Sequence, residues 1–190
     1  LQAVVKAHWP LPIELLCGPG SDGVGVVLAR GMEACRCELI LRADADDISM
    51  PYRASRQLAW FAVHPEVMAG SAWIEEFVDS PKRVVGCRHV PLCRGVQGWA
   101  LWRNPLNHPA VLLRRSAVLS VGGYRDLRGF EDYDLWLRLL KRYGSTAVNN
   151  LPEVLVRVRV GPAHLLRRRG FSYARAEADF IYRSAREGQM

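Results

Sequence analysis

The chain has 190 residues, room for one sizeable domain and too little for two comfortable ones. Hydrophobic residues make up 49% and charged residues 24%, which excludes the disordered and low-complexity classes. The net charge of +7 suits nucleic acid, anionic lipid or a phosphate-bearing substrate, and no apolar run is long enough to span a bilayer.

Ile13-Glu14-Leu15-Leu16-Cys17 is a short apolar run that reads as a strand. It stops at the breaker cluster Gly18-Pro19-Gly20-Ser21-Asp22-Gly23. Residues 26–34 suit a short helix and residues 38–42 a second strand. Strand, loop, helix, strand is the signature of a βαβ unit and a parallel sheet. Pro51 is expected to open a helix reaching about His64. Residues 67–77 and 83–90 read as strands, residues 91–104 are ambiguous, and residues 111–113 read as a short strand. Residues 115–121 read as a short helix capped by Gly122-Gly123. Residues 131–143 give the clearest helix: Leu135, Trp136, Leu139, Leu140 and Tyr143 share one face, and Gly144 ends it. Residues 154–160 alternate as a strand until Gly161-Pro162, and a helix outside the core sheet is expected over residues 164–186. No internal repeat is visible. The expected organisation is a domain over residues 1–160 and a helical extension over residues 161–190.

The strand over residues 38–42 runs directly into Asp44-Ala45-Asp46-Asp47. Functional groups of open α/β sheets gather at the carboxyl ends of strands. Magnesium and manganese want hard oxygen ligands, usually one or two protein carboxylates plus phosphates and waters. Asp44, Asp46 and Asp47 supply such oxygens, with Asp44 and Asp46 on one side if the strand alternation continues. Asp clusters are also good turn formers and helix caps, so Asp46 or Asp47 reads equally as the cap of the helix near Pro51.

Phe130-Glu131-Asp132 opens the amphipathic helix. Asp132 precedes Leu135 and Trp136 by three and four residues, so it shares their core-facing side. A carboxylate aimed inward beside a cleft is a candidate general base. The alternative is that Glu131 and Asp132 merely complement the helix dipole. Gly122-Gly123-Tyr124 is a sterically open backbone that suits close approach to a ligand, or an ordinary turn.

Five cysteines at irregular spacing, with no CxxC pair, argue against structural zinc and for reduced thiols in the cytosol. Arg167-Arg168-Arg169 is the one tight basic cluster. It reads equally as a solvated helix face and as a patch facing the cytoplasmic side of a membrane, compatible with peripheral association. No aromatic stacking platform is interleaved with the arginines, which sets nucleic acid aside. The opening Leu1-Gln2-Ala3, without Met or a secretory signal, suggests a start inside a longer gene product.

The run from Glu38 to Arg53, Glu-Leu-Ile-Leu-Arg-Ala-Asp-Ala-Asp-Asp-Ile-Ser-Met-Pro-Tyr-Arg, resembles the metal-binding segment of family-2 glycosyltransferases with the GT-A fold. Gln57 and His64-Pro65-Glu66-Val67 fit the helix and strand that follow there. Asn104-Pro105-Leu106-Asn107-His108-Pro109, Arg114-Arg115-Ser116, Val121-Gly122-Gly123-Tyr124 and the run from Phe130 to Arg138 continue the resemblance in order. It covers roughly residues 10 to 160, and several ordered segments are far more specific than any single motif. The fold it implies is α/β, a Rossmann-like mixed sheet flanked by helices.

The resemblance implies that Asp44, Asp46 and Asp47 hold Mg2+ or Mn2+ against the diphosphate of a nucleotide-sugar donor. Asp132 matches the residue that deprotonates the acceptor hydroxyl in inverting members, and Glu131 would help place the acceptor or the base. Trp136 and Arg138 sit where the family often lines the donor pocket. His108 matches a family position and reads as a buried structural histidine. The implied reaction moves a sugar to a hydroxyl of a glycan or lipid-linked acceptor in polysaccharide biosynthesis. The family's first nucleotide-binding strand, with its acidic residue, and the acidic Asp-Asp-Gly-Ser-like loop after its second do not appear, and Ala43 stands where a larger apolar residue is common. The expectation is therefore a chain lacking the first nucleotide-binding strands. Two rivals remain. One is a non-catalytic carbohydrate- or partner-binding domain of the same fold. The other is a metal-dependent phosphoryl enzyme, which needs a second ligand cluster, and Asp132 with Asp134 is the only other dense acidic pair.

Overall fold

The computed structural model describes residues 12–93, 95–161, 171–186 and 188. In chain order its elements are α1 (Val24–Ala34), β1 (Leu39–Leu41), β2 (Ile48–Ser49), α2 (Arg53–Val63), β3 (Ala69–Phe77), β4 (Val84–Arg88) and α3 (Gly95–Ala100). There follow a 3-10 turn (His108–Ala110), β5 (Leu112–Arg114), α4 (Arg115–Ser120), α5 (Glu131–Tyr143), β6 (Val148–Arg159) and α6 (Phe171–Arg186).

The strands form one mixed sheet in the order β1-β5-β3-β6-β2, with β4 also on β3. β3 is its spine, and β6 runs parallel along one of its edges. The other edge is shared: β5 pairs antiparallel with Ala69 and Gly70, and β4 pairs antiparallel with residues 74–77. Parallel neighbours need a long crossover, and α5 enters β6 at the end of it. Ala72 faces Leu151, but Trp73 faces Val154 and Ile74 faces Val156. β6 therefore bulges where Pro152 has no N–H to give the ladder.

The largest core cluster gathers Leu113, Val111, Val118, Leu135, Trp136 and Leu139 between the sheet and α5. The predicted apolar face of α5 is this contact. Residues from Glu131 to Leu139 are all buried, four charged side chains among them. Buried charges persist only when paired. Arg138 meets Asp134 at 2.6 Å and donates to the carbonyl oxygens of Val121 and Gly123. The clamped loop holds Gly122 at φ 87° and Gly123 at φ 67°, backbone that a Cβ would strain. On the helix's opposite side Phe180 of α6 stacks on Phe130 at 4.9 Å and packs against Tyr133.

The βαβ expectation fails at its first strand. Residues 13–17 form no strand; Ile13, Leu15 and Leu16 are exposed. A strand needs a neighbour for its backbone donors and acceptors, and no described strand pairs with this segment. β1 instead pairs antiparallel with β5. Pro51 lies ahead of α2 rather than inside it, because Tyr52 takes the cap position. The ambiguous stretch 91–104 contains α3, β6 starts at Val148 rather than residue 154, and two-residue β2 joins the sheet edge. The Arg167-Arg168-Arg169 cluster lies outside the described residues. Among those described, no helix is long and apolar enough to cross a membrane.

Replacing Arg138 by Leu leaves Asp134 buried without its main partner. The variant should lose about 3–5 kcal/mol of unfolding free energy in urea titration, the cost of stranding a buried charge.

Candidate active site

The acidic turn follows β1 and is held from both sides. Arg42 grips Asp44 with two contacts, at 2.6 and 2.7 Å. The Asp47 N–H donates to the Asp44 carbonyl at 3.3 Å, and Asp47 Oδ1 accepts the Arg159 N–H at 3.0 Å. Asp46 is exposed. None of the three caps α2: its cap is Tyr52, and no side chain bonds there. The cap alternative therefore falls away. Burial, with the charges of Asp44 and Asp46 adding to it, pushes the Asp47 carboxyl up to about 6. Arg42 matches only one of the three carboxylates at hydrogen-bond distance. Asp44, Asp46 and Asp47 do not each bring an oxygen within 4.8 Å of the others, so the turn supplies the hard oxygens that suit Mg2+ or Mn2+ without gathering all three on one point.

Beneath the turn lies a residue to which sequence reasoning gave no role. Arg53 is buried and bonds the Gln57 side chain at 3.0 Å, Ser49 Oγ at 2.9 Å and the Arg42 carbonyl at 2.8 Å. Burial, and after it the Arg42 charge, lowers its pKa to about 10, while Asp47 and Asp44 oppose that shift. A signal was present in the sequence. An arginine in the first turn of a helix opposes the dipole, so something else must hold it.

The second acidic site is built on the start of α5. Asp132 Oδ2 accepts from Asn104 Nδ2 at 2.7 Å, and Oδ1 accepts from the Tyr133 N–H at 2.8 Å. His108 Nδ1 stands 3.6 Å from Oδ2, and its Nε2 lies 3.0 Å from the Tyr124 hydroxyl. Burial foremost, and then the Asp132 charge, pushes the Tyr124 phenol far up, so it stays protonated. Glu131 accepts from the Gly129 N–H at 2.8 Å. Its carboxyl is raised chiefly by burial, with Asp132 adding to the rise.

Asp132, His108 and Asn104 border a cavity of about 770 Å3. Its walls come from β3, β4, the end of α3, the 3-10 turn and the starts of α5 and α6. Donor atoms of His108, Glu131 and Asp132 lie within 4.8 Å of one another, a second place where a cation could sit. Asp44, Asp46 and Asp47 do not border this cavity. Arg42 connects the two places, because its charge acts on Asp47, Tyr124 and Glu131 alike.

Trp136 and Arg138, expected at the donor pocket, do not border this cavity. Trp136 is 0% exposed in the core cluster, and Arg138 is committed to Asp134 and the glycine loop. One face of the helix cannot both pack the core and meet a donor. An added Cβ at Gly122 or Gly123 meets no heavy atom within 4 Å, but only Gly122 is exposed and neither borders the cavity. Asp134 is buried against Arg138, which removes the Asp132–Asp134 ligand cluster that a phosphoryl enzyme would need.

No family model matches the chain. It is similar to the amylovoran biosynthesis glycosyltransferase AmsE of Erwinia amylovora, 34% identical over 182 residues, 94% of this chain and 66% of that protein. It is 37% identical to an uncharacterized glycosyltransferase of Haemophilus influenzae, over 92% of this chain and 64% of the relative. The chain belongs to the glycosyltransferases. A third relative, 34% identical over 84% of this chain and 58% of its own, is an Escherichia coli UDP-Gal:alpha-D-GlcNAc-diphosphoundecaprenol beta-1,3-galactosyltransferase. The chain thus spans less than two thirds of each of these three curated relatives.

This glycosyltransferase has the GT-A fold. Glucosyl-3-phosphoglycerate synthase of Mycobacterium tuberculosis, solved with Mn2+, UDP-glucose and phosphoglyceric acid, aligns with a TM-score of 0.56 at 15% identity. That alignment covers 88% of this chain and 57% of the synthase. S. aureus TarS in complex with UDP aligns with a TM-score of 0.54 at 15% identity, over 83% of this chain and 44% of TarS.

The raised Asp47 carboxyl sets a pH dependence. The fold favours its protonated form, so its contribution to stability is full below 3.8 and lost as pH rises through about 6. A cation needs the ionised form, and the sign reverses. Mn2+ affinity, read by calorimetry, should fall as pH drops through about 6, by up to about tenfold per pH unit for one competing proton.

Proposed function

We propose that this chain carries the metal-binding and proton-accepting parts of an inverting glycosyltransferase that moves a sugar from a nucleotide-diphosphate donor to an acceptor hydroxyl. The observation that carries the reading is the position of Asp132. It is a carboxylate at the wall of a cavity, oriented by Asn104 and the Tyr133 N–H, at the residue matching the family's base.

Asp132 takes the proton of the acceptor hydroxyl as that oxygen attacks the anomeric carbon. The nucleoside diphosphate leaves from the opposite face in one displacement, through a transition state with oxocarbenium character, so the configuration inverts. No nucleophilic side chain is needed. Glu131 holds the Gly129 backbone beside the base, and the exposed backbone at Gly122, next to Gly123, is where a ligand would approach. Asp44, Asp46 and Asp47 would hold Mg2+ or Mn2+. When bound, the ion supplies Lewis-acid neutralisation of the leaving diphosphate.

The acceptor is a glycan or a sugar on a lipid diphosphate. The E. coli relative, whose printed acceptor is a diphosphoundecaprenol, supports the second class. The chain then works peripherally at the cytoplasmic face of a membrane.

In the full chain, Asp132→Asn should lower transfer by roughly a hundredfold to ten-thousandfold, the worth of a positioned base. Binding of UDP with Mn2+, measured by calorimetry, should stay unchanged. Undiminished transfer would remove Asp132 from the mechanism. A full chain that binds neither donor nor metal would favour a non-catalytic binding domain.

A further inference from the structure

α3 ends in a helical turn whose side chains face outward. The N–H groups of Trp102 and Arg103 both donate to the Trp99 carbonyl at 2.9 Å. Trp99, Trp102 and Arg103 therefore stand at i, i+3 and i+4, on one side of the turn. Trp102 is 76% exposed, Trp99 44% and Leu101 42%. Arg103 is exposed among them. Two indoles and a leucine beside one another in water leave apolar area uncovered. An indole, apolar with one N–H donor, suits the boundary between water and a membrane interior.

In sequence, residues 80–125 contain no Asp or Glu. In space, Arg83 lies 3.5 Å from Asp79 and Arg88 4.0 Å from Glu76, while the exposed Arg103 sits on the turn itself. Trp99 and Arg103 border the cavity, whose lining also holds Arg88 and the acids Glu76, Asp132 and Glu177. The turn is thus part of the cavity's rim. Exposed indoles beside an exposed arginine suit a surface that offers phosphates at its face and hydrocarbon just below it.

We infer that the rim formed by Trp99, Leu101, Trp102 and Arg103 is a membrane-docking surface that seats the cavity mouth on anionic lipid head groups. The indoles and Leu101 enter the head-group layer, and Arg103 meets a lipid phosphate. A lipid-diphosphate acceptor then reaches Asp132 without leaving the bilayer. The inference rests on the proposed transfer to a lipid-linked acceptor and names the surface that performs the docking.

The test is flotation of the full chain with phosphatidylcholine vesicles, alone or with about 30% phosphatidylglycerol. The full chain should float with the anionic vesicles and release in high salt. Leu101→Ser/Trp102→Ser, with an unchanged circular dichroism spectrum, should bind them about tenfold more weakly. Neither residue borders the cavity, so transfer to a water-soluble acceptor should match the parent. A parent that ignores anionic vesicles would overturn the inference, and so would a double variant that binds them equally well. A patch-dependent dimer in sedimentation, with no vesicle binding, would assign the surface to a second copy instead. Vesicle binding without transfer to the soluble acceptor would fault the transferase reading and leave the docking surface standing.

Discussion

The site depends on a buried guanidinium that touches no carboxylate. Arg53 reaches the end of β1 through the Arg42 carbonyl, β2 through Ser49, and its own helix through Gln57. A cation this deep is costly unless compensated. Its compensation is electrostatic and remote, from Asp44 and Asp47. The dependence is mutual, because the same cation helps hold the carboxylates of the turn together. Counting only these groups, Asp44, Asp46 and Asp47 against Arg42 and Arg53 leave one net negative charge. A divalent ion turns that to one net positive charge, which suits an anionic diphosphate. The arginines make the turn rigid without cancelling its appetite for a cation.

The base is organised by a different rule. Near it, Asp132 is held by neutral donors, Asn104 and a backbone N–H, with the His108 imidazole at a longer reach. Neutral donors fix direction and leave the carboxylate able to take a proton. The neighbouring Glu131 is turned to the Gly129 backbone, which separates the roles of two adjacent acids on one helix start. Arg138 then ties that helix to the loop at Gly122 and Gly123, so the base and that loop keep their spacing. Arg42 couples both halves through its field.

What the sequence made legible was local and periodic. The face of α5, the Gly144 stop and the carboxylates at the end of β1 follow from spacing alone. The run at residues 13–17 misled, because an apolar pattern states a preference for burial and cannot supply the neighbouring strand. β2 has two residues, too few for any period. The first half of β6 was hidden by Asn149, Asn150 and Pro152, residues that suit turns and that here sit at a bulge. The cavity was illegible for a different reason: its walls come from β3, β4, α3, the 3-10 turn, α5 and α6, remote pieces that only the tertiary fold assembles. Trp136 lies in the core cluster, a placement that its spacing with Leu135 and Leu139 made legible.

Among the described residues His108, Glu131 and Asp132 gather three donor atoms within 4.8 Å, whereas the proposed metal turn at Asp44–Asp47 offers carboxylates that do not all converge. The two places imply different chemistry, since a metal on Asp132 would occupy the oxygens that must accept a proton. Crystals grown with Mn2+ and UDP, with data collected at the manganese absorption edge, separate them. The account predicts an anomalous peak on the carboxylates of Asp44, Asp46 or Asp47, with Asp132 free of metal. A peak on His108, Glu131 and Asp132, with none at the acidic turn, would contradict it.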